Sequence, residues 1–408
     1  MKRLLAAVAV AAWGMTPAMA QGPASKSPAP LIVISIDAFR ADYLKRGITP
    51  TLTALAKEGA HAVAVHPSFP SQTFPNHYTL VTGLRPNHHG LVANTMDDPK
   101  VSPETFSKTA NSYADPRWWN GGTPLWVTAG KAGKRTASVA WPGSDVAING
   151  GRASYIDPWR KGASPAEAVT LVLNWMDLPA AQRPALTFVY LDAVDEAGHD
   201  HGPNAAEVNT ALRQVDAAIA TLVAGLKRRG LYQRTNLVVL SDHGLADMKK
   251  GQMVVLDEFV DTTKFKLLYY GPSAGIQPLP GHEAEVEKAL AGSHPHATCW
   301  RKGEIPPHLH FGTNARVPGV ICAAEDGWRI VTRQAVANWA AEKPGDHGYP
   351  PEARSMDALF LGRGPSFRRG VTLQPFDNVD IYPMLAEITG LPPEKNDGNL
   401  STFKPALK

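Results

Sequence analysis

Residues 31–37 have the sequence Leu31-Ile32-Val33-Ile34-Ser35-Ile36-Asp37, a nearly continuous apolar run that ends on an aspartate. Two later runs repeat the pattern, Leu186-Thr187-Phe188-Val189-Tyr190-Leu191-Asp192 and Leu237-Val238-Val239-Leu240-Ser241-Asp242. Short apolar runs of this kind are typical of strands that are buried on both faces of a parallel sheet. In an open α/β sheet the ligand crevice lies beyond the carboxyl ends of the strands, so these endings direct several carboxylates to one place.

Segments with helix-like apolar spacing lie between the three runs. Residues 51–59 and 205–230 have this spacing, and the second segment ends in a basic cluster before Gly230, as helix C-termini often do. An alternation of strands and helices favours an α/β fold with a mainly parallel sheet that is covered by helices on both faces.

The remaining patterns suggest one catalytic domain, residues 31–408, with two insertions. A tryptophan-rich stretch with many glycine and proline breaks occupies about residues 100–160. Short strand-like pieces around a helix-like segment predict a small inserted α+β subdomain at about residues 264–343. After it, residues 356–361 predict a further strand and residues 380–389 a closing helix.

The first residues form a basic and then apolar leader. Met1-Lys2-Arg3 precedes the apolar residues 4–13, and the small residues Ala18-Met19-Ala20 come after it. This pattern predicts a secretory signal peptide at residues 1–20 and a flexible lead-in at residues 21–30. A membrane anchor is the alternative, but the apolar run is too short for roughly 30 Å of hydrocarbon, and no later stretch predicts a span. We therefore expect a periplasmic or secreted protein.

The charge pattern gives no sign of a nucleic-acid groove. The formal charge is +4, and cleavage of the leader would remove two of the basic residues, Lys2 and Arg3. The other basic residues occur in short clusters and form no stripe that would track a polyanion. Binding to duplex nucleic acid is therefore not expected.

The chain contains two cysteines, Cys299 and Cys322. In an oxidising compartment they could form a disulfide, which would contribute on the order of 3 kcal/mol if unstrained. Two buried free thiols are the alternative. Neither cysteine belongs to the motifs of aspartate, histidine and hydroxyl residues that could carry chemistry.

Histidines accompany the aspartates near the strand ends. One pair has the spacing D-x-x-x-H, which brings both side chains to one face of a helix, and a further histidine lies in a glycine-flanked loop. The six candidates are Asp37, Asp195, His199, Asp242, His243 and His347. Carboxylate oxygen and imidazole nitrogen without thiolate suit zinc or manganese. Divided three and three, the candidates would hold two ions about 4 Å apart, an arrangement used in phosphoryl transfer.

A hydroxyl nucleophile for such a site could come from residues 67–78. Their sequence, Pro67-Ser68-Phe69-Pro70-Ser71-Gln72-Thr73-Phe74-Pro75-Asn76-His77-Tyr78, opens an apolar helix that runs to about Gly83. The helix dipole and a nearby metal ion would both lower the pKa of a hydroxyl at this N-terminus. Spacing leaves Ser68, Ser71 and Thr73 as candidates, and it also allows that one of them only caps the helix.

Taken together, these segments resemble the nucleotide pyrophosphatase/phosphodiesterase family of the alkaline phosphatase superfamily. The motifs are Ile36-Asp37-Ala38-Phe39-Arg40, Thr73-Phe74-Pro75-Asn76-His77-Tyr78, Asp195-Glu196-Ala197-Gly198-His199, Ser241-Asp242-His243-Gly244 and Gly345-Asp346-His347-Gly348-Tyr349. The resemblance spans roughly residues 31–386 in order. It implies an alkaline-phosphatase-like fold and, together with the leader, an exported bacterial member.

The resemblance also implies a role for each residue. The implied ligands of one zinc ion are Asp37, Thr73, Asp242 and His243, and those of a second are Asp195, His199 and His347. Thr73 would be the nucleophile, and Asn94 would contact the oxyanion beside the backbone amide of Thr73. Phe74 would flank a nucleobase, and Tyr155 would be a second aromatic residue against the base.

The implied activity is hydrolysis of nucleotide phosphodiester and pyrophosphate bonds with release of a nucleoside monophosphate. Thr73 would attack phosphorus in line, and water would then release the covalent threonine intermediate. A lipid-directed phosphodiesterase that releases choline phosphate is the main alternative, and a phosphomonoesterase is a further one. A sulfatase is disfavoured because the arginine of its C/S-x-P-x-R block is missing. From a different class, the chain could be a metal-dependent binding protein without turnover.

Overall fold

A computed structural model describes residues 29–338 and 343–408, and its largest element is an eight-stranded sheet. The strands lie in the order Val371–Leu373, Ala60–Ala62, Phe360–Arg363, Asn236–Leu240, Leu31–Ile36, Leu186–Leu191, Thr136–Val139 and Tyr155–Asp157. All pairings are parallel except the two made by Phe360–Arg363. The predicted signal peptide and most of the predicted lead-in lie outside the described residues.

The three aspartate-ended runs form the centre of this sheet. Leu31–Ile36 pairs with Leu186–Leu191 on one side and with Asn236–Leu240 on the other. The register places Ile36 opposite Leu191, so that two of the strands end level with each other. The residues after the three strands therefore emerge together at one edge of the sheet.

Helices cover both faces of the sheet. Alternate side chains of Leu31–Ile36 belong to two different hydrophobic clusters, as expected for a strand that is buried on both sides. One face packs against Thr73–Thr82, Leu125–Lys131 and Ile381–Thr389, and the other against Pro50–Glu58, Pro165–Met176 and Ala206–Arg228. The predicted α/β architecture is therefore confirmed.

The strand predicted at residues 356–361 begins later than expected, at Phe360–Arg363. The preceding segment contains a 3-10 turn at Arg354–Met356, and Ala358 forms isolated bridges to other loops. The backbone of this segment therefore forms bridges, but the partners belong to different parts of the chain and make no continuous strand pairing. The apolar pattern could not distinguish such a crossing segment from a regular strand.

A second sheet, antiparallel throughout, lies within the segment that was predicted to be an inserted subdomain. Its strands have the order Phe265–Tyr269, Ser273–Pro278, Val320–Ala324, Ala297–Arg301 and Gly292–His294, and the helix Glu283–Leu290 packs on it. Cys299 lies directly opposite Cys322 in neighbouring strands, and the two are joined by a disulfide. The division of the chain into domains remains a prediction.

Short elements complete the described part of the chain. The paired strands are Met96–Asp98 with Ser102–Phe106, Val65–His66 with Phe376–Asp377, Ala246–Asp247 with Gly345–Asp346, and Met253–Val255 with Arg329–Val331. The remaining α-helices are Pro86–His89, Ala193–His201 and Arg333–Asn338. Within residues 29–338 and 343–408, none of the helices has the length and apolar character that crossing a bilayer requires.

Candidate active site

The central strands and the turns after them deliver most of the predicted ligands. Asp37 follows the strand Leu31–Ile36 directly, and Asp242 follows Asn236–Leu240 by two residues. Asp192 follows the strand Leu186–Leu191 directly and is the residue before the helix Ala193–His201. This helix places Asp195 and His199 one turn apart on the same face, as the D-x-x-x-H spacing predicts.

The first group of candidate ligands is completely buried. It contains Asp37, Asp242 and His243, whose ligand atoms all lie within 4.8 Å of one another. The His243 Nε2 atom is 3.4 Å from Asp37 Oδ1 and 3.0 Å from Asp242 Oδ2. Two carboxylates and one imidazole thus converge on one point.

The second group lies against the first and is partly open to a cavity. It contains Asp195, His199 and His347, and Asp195 Oδ1 is 3.4 Å from His199 Nε2 and 3.7 Å from His347 Nε2. The rings of His243 and His347 are stacked with their centroids 3.7 Å apart. The two groups therefore form one continuous site.

The imidazoles of His199, His243 and His347 face the carboxylates with Nε2, and each is held in orientation by a hydrogen bond from Nδ1. The Nδ1 atoms lie 2.9 Å from Gly345 O for His199, 2.9 Å from Gly244 O for His243, and 2.8 Å from Ser71 O for His347. A carbonyl oxygen can only accept, so each Nδ1–H donates to it, and in the neutral ring the lone pair is then on Nε2. This tautomer is typical of histidines that bind a metal through Nε2.

Three carboxylate oxygens that face these imidazoles are buried without a hydrogen-bond partner in the described structure. They are Asp37 Oδ1, Asp195 Oδ1 and Asp242 Oδ2. An unsatisfied buried carboxylate oxygen is costly, and a bound cation would remove that cost. These oxygens and the free Nε2 lone pairs therefore fit two divalent cations.

The pKa directions agree with this interpretation. Burial and the nearby charge of Asp242 raise the pKa of Asp37 well above its ordinary value, which shows how unfavourable the clustered carboxylates are alone. Burial would also raise the pKa of Asp242, but His243 and His77 hold it well below the usual range. Burial and the neighbouring His243 lower the pKa of His347 to about 3, so His347 is neutral near pH 7, as a metal ligand must be.

Of the three candidate hydroxyls, only that of Thr73 lines the cavity. Thr73 is the first residue of the helix Thr73–Thr82, and its Oγ1 is 3.3 Å from His243 Nε2. The Ser68 hydroxyl donates to the Asn378 side chain, and the Ser71 hydroxyl donates to the Tyr349 carbonyl oxygen. Both serines are buried, so the geometry separates candidates that sequence spacing left equivalent.

Asn94 lies beside this helix N-terminus and also lines the cavity. Its side-chain oxygen accepts from the Phe74 backbone N–H at 2.9 Å, and its backbone N–H donates to Gln72 Oε1 at 2.8 Å. These bonds fix the residue and leave the amide Nδ2 as a donor on the other branch of the side chain. As a first-turn residue, Thr73 also has a backbone N–H without an acceptor inside the helix.

The cavity above the ligand groups has a volume of about 390 Å³. Its walls combine aromatic rings with polar groups, and the lining side chains outside the ligand set include Phe74, Lys108, Tyr113, Pro142, Asp145 and Trp159. Tyr113 donates its hydroxyl to Asp145 at 3.0 Å, which holds both side chains in place. Size and composition are typical of a small-molecule site.

Tyr155 is not among the residues that line this cavity, in contrast to its predicted role. Its ring stacks on Trp175 and its hydroxyl donates to the Gln182 carbonyl oxygen. Tyr155 begins the outermost strand of the sheet, and its side chain points along the sheet surface toward the helix Pro165–Met176. A one-residue change along a strand reverses the side chain's face, which sequence resemblance could not resolve here.

Trp159, four residues later in the chain, does line the cavity. Its indole N–H donates to Asp192 Oδ2 at 2.7 Å, and Lys108 Nζ lies 3.5 Å from the ring centroid. The tryptophan-rich stretch was the available signal, but most of its tryptophans are fully buried in the core. Asp192, the third strand-end aspartate, thus positions an aromatic wall instead of binding a cation.

The family model for type I phosphodiesterase / nucleotide pyrophosphatase matches residues 31–350. A pyrophosphatase/phosphodiesterase of Schizosaccharomyces pombe, described as uncharacterised, is 37% identical over 388 residues, which are 92% of this chain and 79% of the yeast protein. Bis(5'-adenosyl)-triphosphatase enpp4 of Mus musculus is 37% identical over 397 residues, 96% of this chain and 84% of the mouse protein. Other relatives are longer, and the match covers only 44% of the bovine ectonucleotide pyrophosphatase/phosphodiesterase family member 3.

The fold is also similar to a solved structure. Murine ectonucleotide pyrophosphatase/phosphodiesterase 5, in an inactive threonine-to-alanine variant bound to AMP, superposes with a TM-score of 0.88 and 33% identity. The match covers 93% of this chain and 100% of the murine chain. These relatives are eukaryotic, so they do not bear on the predicted bacterial origin.

Proposed function

This chain belongs to the type I phosphodiesterase / nucleotide pyrophosphatase family, and we propose that it hydrolyses nucleotide phosphodiester or pyrophosphate bonds through a covalent intermediate on Thr73. One observation carries the proposal. The Thr73 hydroxyl lies 3.3 Å from His243 Nε2 of the first ligand group, and Thr73 lines the same cavity as all three residues of the second group. AMP in the murine neighbour supports a nucleotide as the substrate class.

We propose two zinc ions as the cofactors, because all six donors are carboxylate oxygens or imidazole nitrogens and each group offers three. One ion would be held by Asp37, Asp242, His243 and the Thr73 hydroxyl, and the other by Asp195, His199 and His347. When bound, the ions would lower the pKa of the hydroxyl and offset the negative charge of the phosphoryl group.

The residues of the chain account for the rest of the reaction. The Thr73 hydroxyl gives its proton to solvent, and its Oγ1 atom forms a bond to phosphorus while the bond to the leaving oxygen breaks. That oxygen takes up a proton from solvent if the leaving group needs one. Asn94 Nδ2 and the Thr73 backbone N–H donate to a non-bridging oxygen as negative charge develops on it. Water then attacks the threonine phosphodiester, which releases the nucleoside monophosphate and restores the hydroxyl.

The cavity walls supply the binding energy for the nucleoside. Phe74 and Trp159 both line the cavity and offer planar surfaces on which a base can stack. The hydrogen bond from Trp159 to Asp192 and that from Tyr113 to Asp145 hold these walls before substrate arrives. Little side-chain freedom is then lost on binding, which favours affinity.

Replacement of the nucleophile tests the proposal. Thr73→Ala should reduce hydrolysis of bis(p-nitrophenyl) phosphate by about a thousandfold or more, because it removes the proposed nucleophile. The variant should still bind zinc by elemental analysis and AMP by calorimetry. Thr73→Ser should keep part of the activity.

Ser68→Ala is the matched control, because its hydroxyl lies in the same loop but bonds to Asn378 outside the cavity. Its turnover should remain close to that of the wild type. Full activity in Thr73→Ala would contradict the assigned nucleophile, whereas lysophospholipid hydrolysis faster than nucleotide hydrolysis would contradict the substrate class.

We also propose that the protein is exported to a periplasm or secreted. The disulfide between Cys299 and Cys322 supports export, because disulfides persist in oxidising compartments. Mass spectrometry of the mature N-terminus together with cell fractionation tests this, and an intact Met1 in a reducing compartment would refute it.

A further inference from the structure

A second cavity, of about 420 Å³, lies at the opposite edge of the main sheet. Arg363, which lines it, is paired with Leu237 at the start of the strand Asn236–Leu240, whereas Asp242 follows the end of that strand. At about 3.3 Å per residue, this places the two sites roughly 17 Å apart along the strand. The second cavity is therefore separate from the candidate active site.

Positive charge dominates the lining of this second cavity. Its charged side chains are Lys227, Arg363, Arg369, Lys408 and a single acid, Glu58. Glu58 already accepts a hydrogen bond from the Tyr232 hydroxyl at 2.5 Å and lies 3.8 Å from Arg363 Nε. Among the described residues, Lys227, Arg369 and Lys408 form no ion pair with a carboxylate side chain. These three side chains are exposed, so solvent screens their repulsion for one another, and an anion in the cavity would be attracted to each of them.

Arg363 is fixed in the wall of the cavity. It is only 6% exposed, and its guanidinium lies over the Tyr232 ring, 3.7 Å from the centroid. It donates to the Tyr232 carbonyl oxygen at 2.5 Å and to Gln233 Oε1 at 3.3 Å, while its Nε has no hydrogen-bond partner. The guanidinium of Arg363 is buried and immobilised before any anion binds. Binding therefore costs little side-chain conformational entropy at this residue.

An apolar groove continues from this cavity between two helices. The cavity and the groove share Glu58, Lys227 and Tyr232. The groove is further lined by Pro50, Thr51, Ala54, Leu55, Ala220, Val223 and Ala224, from the helices Pro50–Glu58 and Ala206–Arg228. A molecule with an anionic end in the cavity could therefore extend an apolar part along the groove.

We propose that the second cavity, around Arg363 and Arg369, binds a phosphate group. A phosphate dianion carries enough charge to offset several unpaired cations, and its oxygens match the donors of arginine and lysine. The phosphate could come from inorganic phosphate or from an amphiphilic phosphomonoester whose apolar part follows the groove. The site does not depend on the proposed hydrolytic activity.

The test is a titration of the whole zinc-loaded protein with inorganic phosphate at constant ionic strength. Amide NMR signals of Tyr232, Gln233 and Gly364 report on this cavity alone, so phosphate in the candidate active site does not affect the result. These signals should shift saturably in the wild type. Arg369→Gln should weaken the binding about tenfold or more, because it removes a charged hydrogen-bond donor.

Arg368→Gln is the matched control. Arg368 is exposed like its neighbour Arg369, and its replacement changes the charge by the same amount. It does not line the cavity, and its side chain donates to backbone oxygens of Lys404 and Pro405 in the described structure. The affinity of this variant should remain within about twofold of the wild type, since Arg368 contributes no donor to the cavity and its more distant charge is screened by salt. Equal weakening in both variants, or shifts that do not saturate, would overturn the proposal.

A parallel titration with octyl phosphate distinguishes the two sources of the phosphate. Tighter binding than that of inorganic phosphate, with shifts extending to Ala220 and Ala224, would support the site and identify an amphiphile. Equal affinities would support the site and identify free phosphate. Binding of octanol as tight as that of octyl phosphate would show that the charge contributes nothing, and would overturn the proposal.

Discussion

At the scale of single residues, the ligand carboxylate Asp37 divides its two oxygens between different tasks. Oδ2 accepts a hydrogen bond from the buried Tyr190 hydroxyl at 2.6 Å, while Oδ1 faces His243 without a hydrogen-bond partner. Tyr190 is itself held by an edge-to-face contact with the His77 ring, 4.8 Å between centroids. The carboxylate is thereby oriented before any cation binds.

Tyr190→Phe should weaken cation binding by about tenfold to a hundredfold, because it removes the partner that orients Asp37. Competition with a chromogenic chelator measures this affinity directly. Tyr269→Phe is the control, since the Tyr269 hydroxyl is also buried but has no hydrogen-bond partner in the described structure. If both variants bind zinc as tightly as the wild type, Tyr190 does not position Asp37.

Single residues also show where sequence reasoning succeeds and where it fails. Asp37 and Asp242 could be located because strand ends are recognisable from apolar runs, and the structure brings them together with His243. Trp159 and Tyr190 could not be located, because their orientation depends on contacts with residues far away in the chain. Spacing identifies the residues that come directly after a strand, but not which loop side chain turns inward.

At the scale of elements, Gly345 allows the helix Ala193–His201 to approach the loop that carries His347. A Cβ atom on Gly345 would lie 2.2 Å from the Gly198 carbonyl oxygen, which is a severe clash with backbone. The same close approach lets His199 Nδ1 donate to Gly345 O. Gly345 belongs to a sequence motif that is notable for its histidine, yet the role of this glycine is the contact between two elements.

Gly345→Ala should separate the helix from the loop and displace His199 and His347 from each other. We expect a loss of roughly 1–3 kcal/mol in the free energy of unfolding and weaker binding of one of two zinc ions. Thermal unfolding and elemental analysis measure the two effects.

Gly130→Ala is the matched control, because Gly130 lies in the helix Leu125–Lys131 with open space where its Cβ would be. This substitution should stabilise the protein by about 0.5–1 kcal/mol, since alanine favours helix. Normal zinc content and stability in Gly345→Ala would show that the loop relaxes without cost, contrary to the close packing described.

At the scale of the whole molecule, the disulfide of the second, antiparallel sheet lies outside the candidate active site. The disulfide joins two strands of that sheet, and neither cysteine lines the candidate active site. The α/β class and the placement of the three aspartate-ended strands in one sheet could be predicted from apolar patterns in the sequence. The single antiparallel strand at Phe360–Arg363 could not, because direction within a sheet depends on the path of the connecting loops.

Removal of the disulfide by Cys299→Ala with Cys322→Ala should lower the free energy of unfolding by about 3 kcal/mol. Without the crosslink the unfolded chain has more conformational entropy, which favours the unfolded state. The hydrolysis rate on bis(p-nitrophenyl) phosphate should be unchanged below the unfolding temperature. Wild-type protein under reducing conditions is the control and should unfold at the same temperature as the variant. A large loss of activity in the folded variant would show that the two parts of the molecule are coupled.

The hydrogen bond between Trp159 and Asp192 has a consequence for how this scaffold can diversify. Most cation ligands emerge from the central strands and the turns after them, whereas Trp159 comes from the segment after the edge strand Tyr155–Asp157 and is hydrogen-bonded to Asp192. This segment could therefore be exchanged for others of different shape while the hydrolytic machinery stays intact, provided that the new segment offers a donor to Asp192. Grafting of such segments is a direct route to variants with altered selectivity.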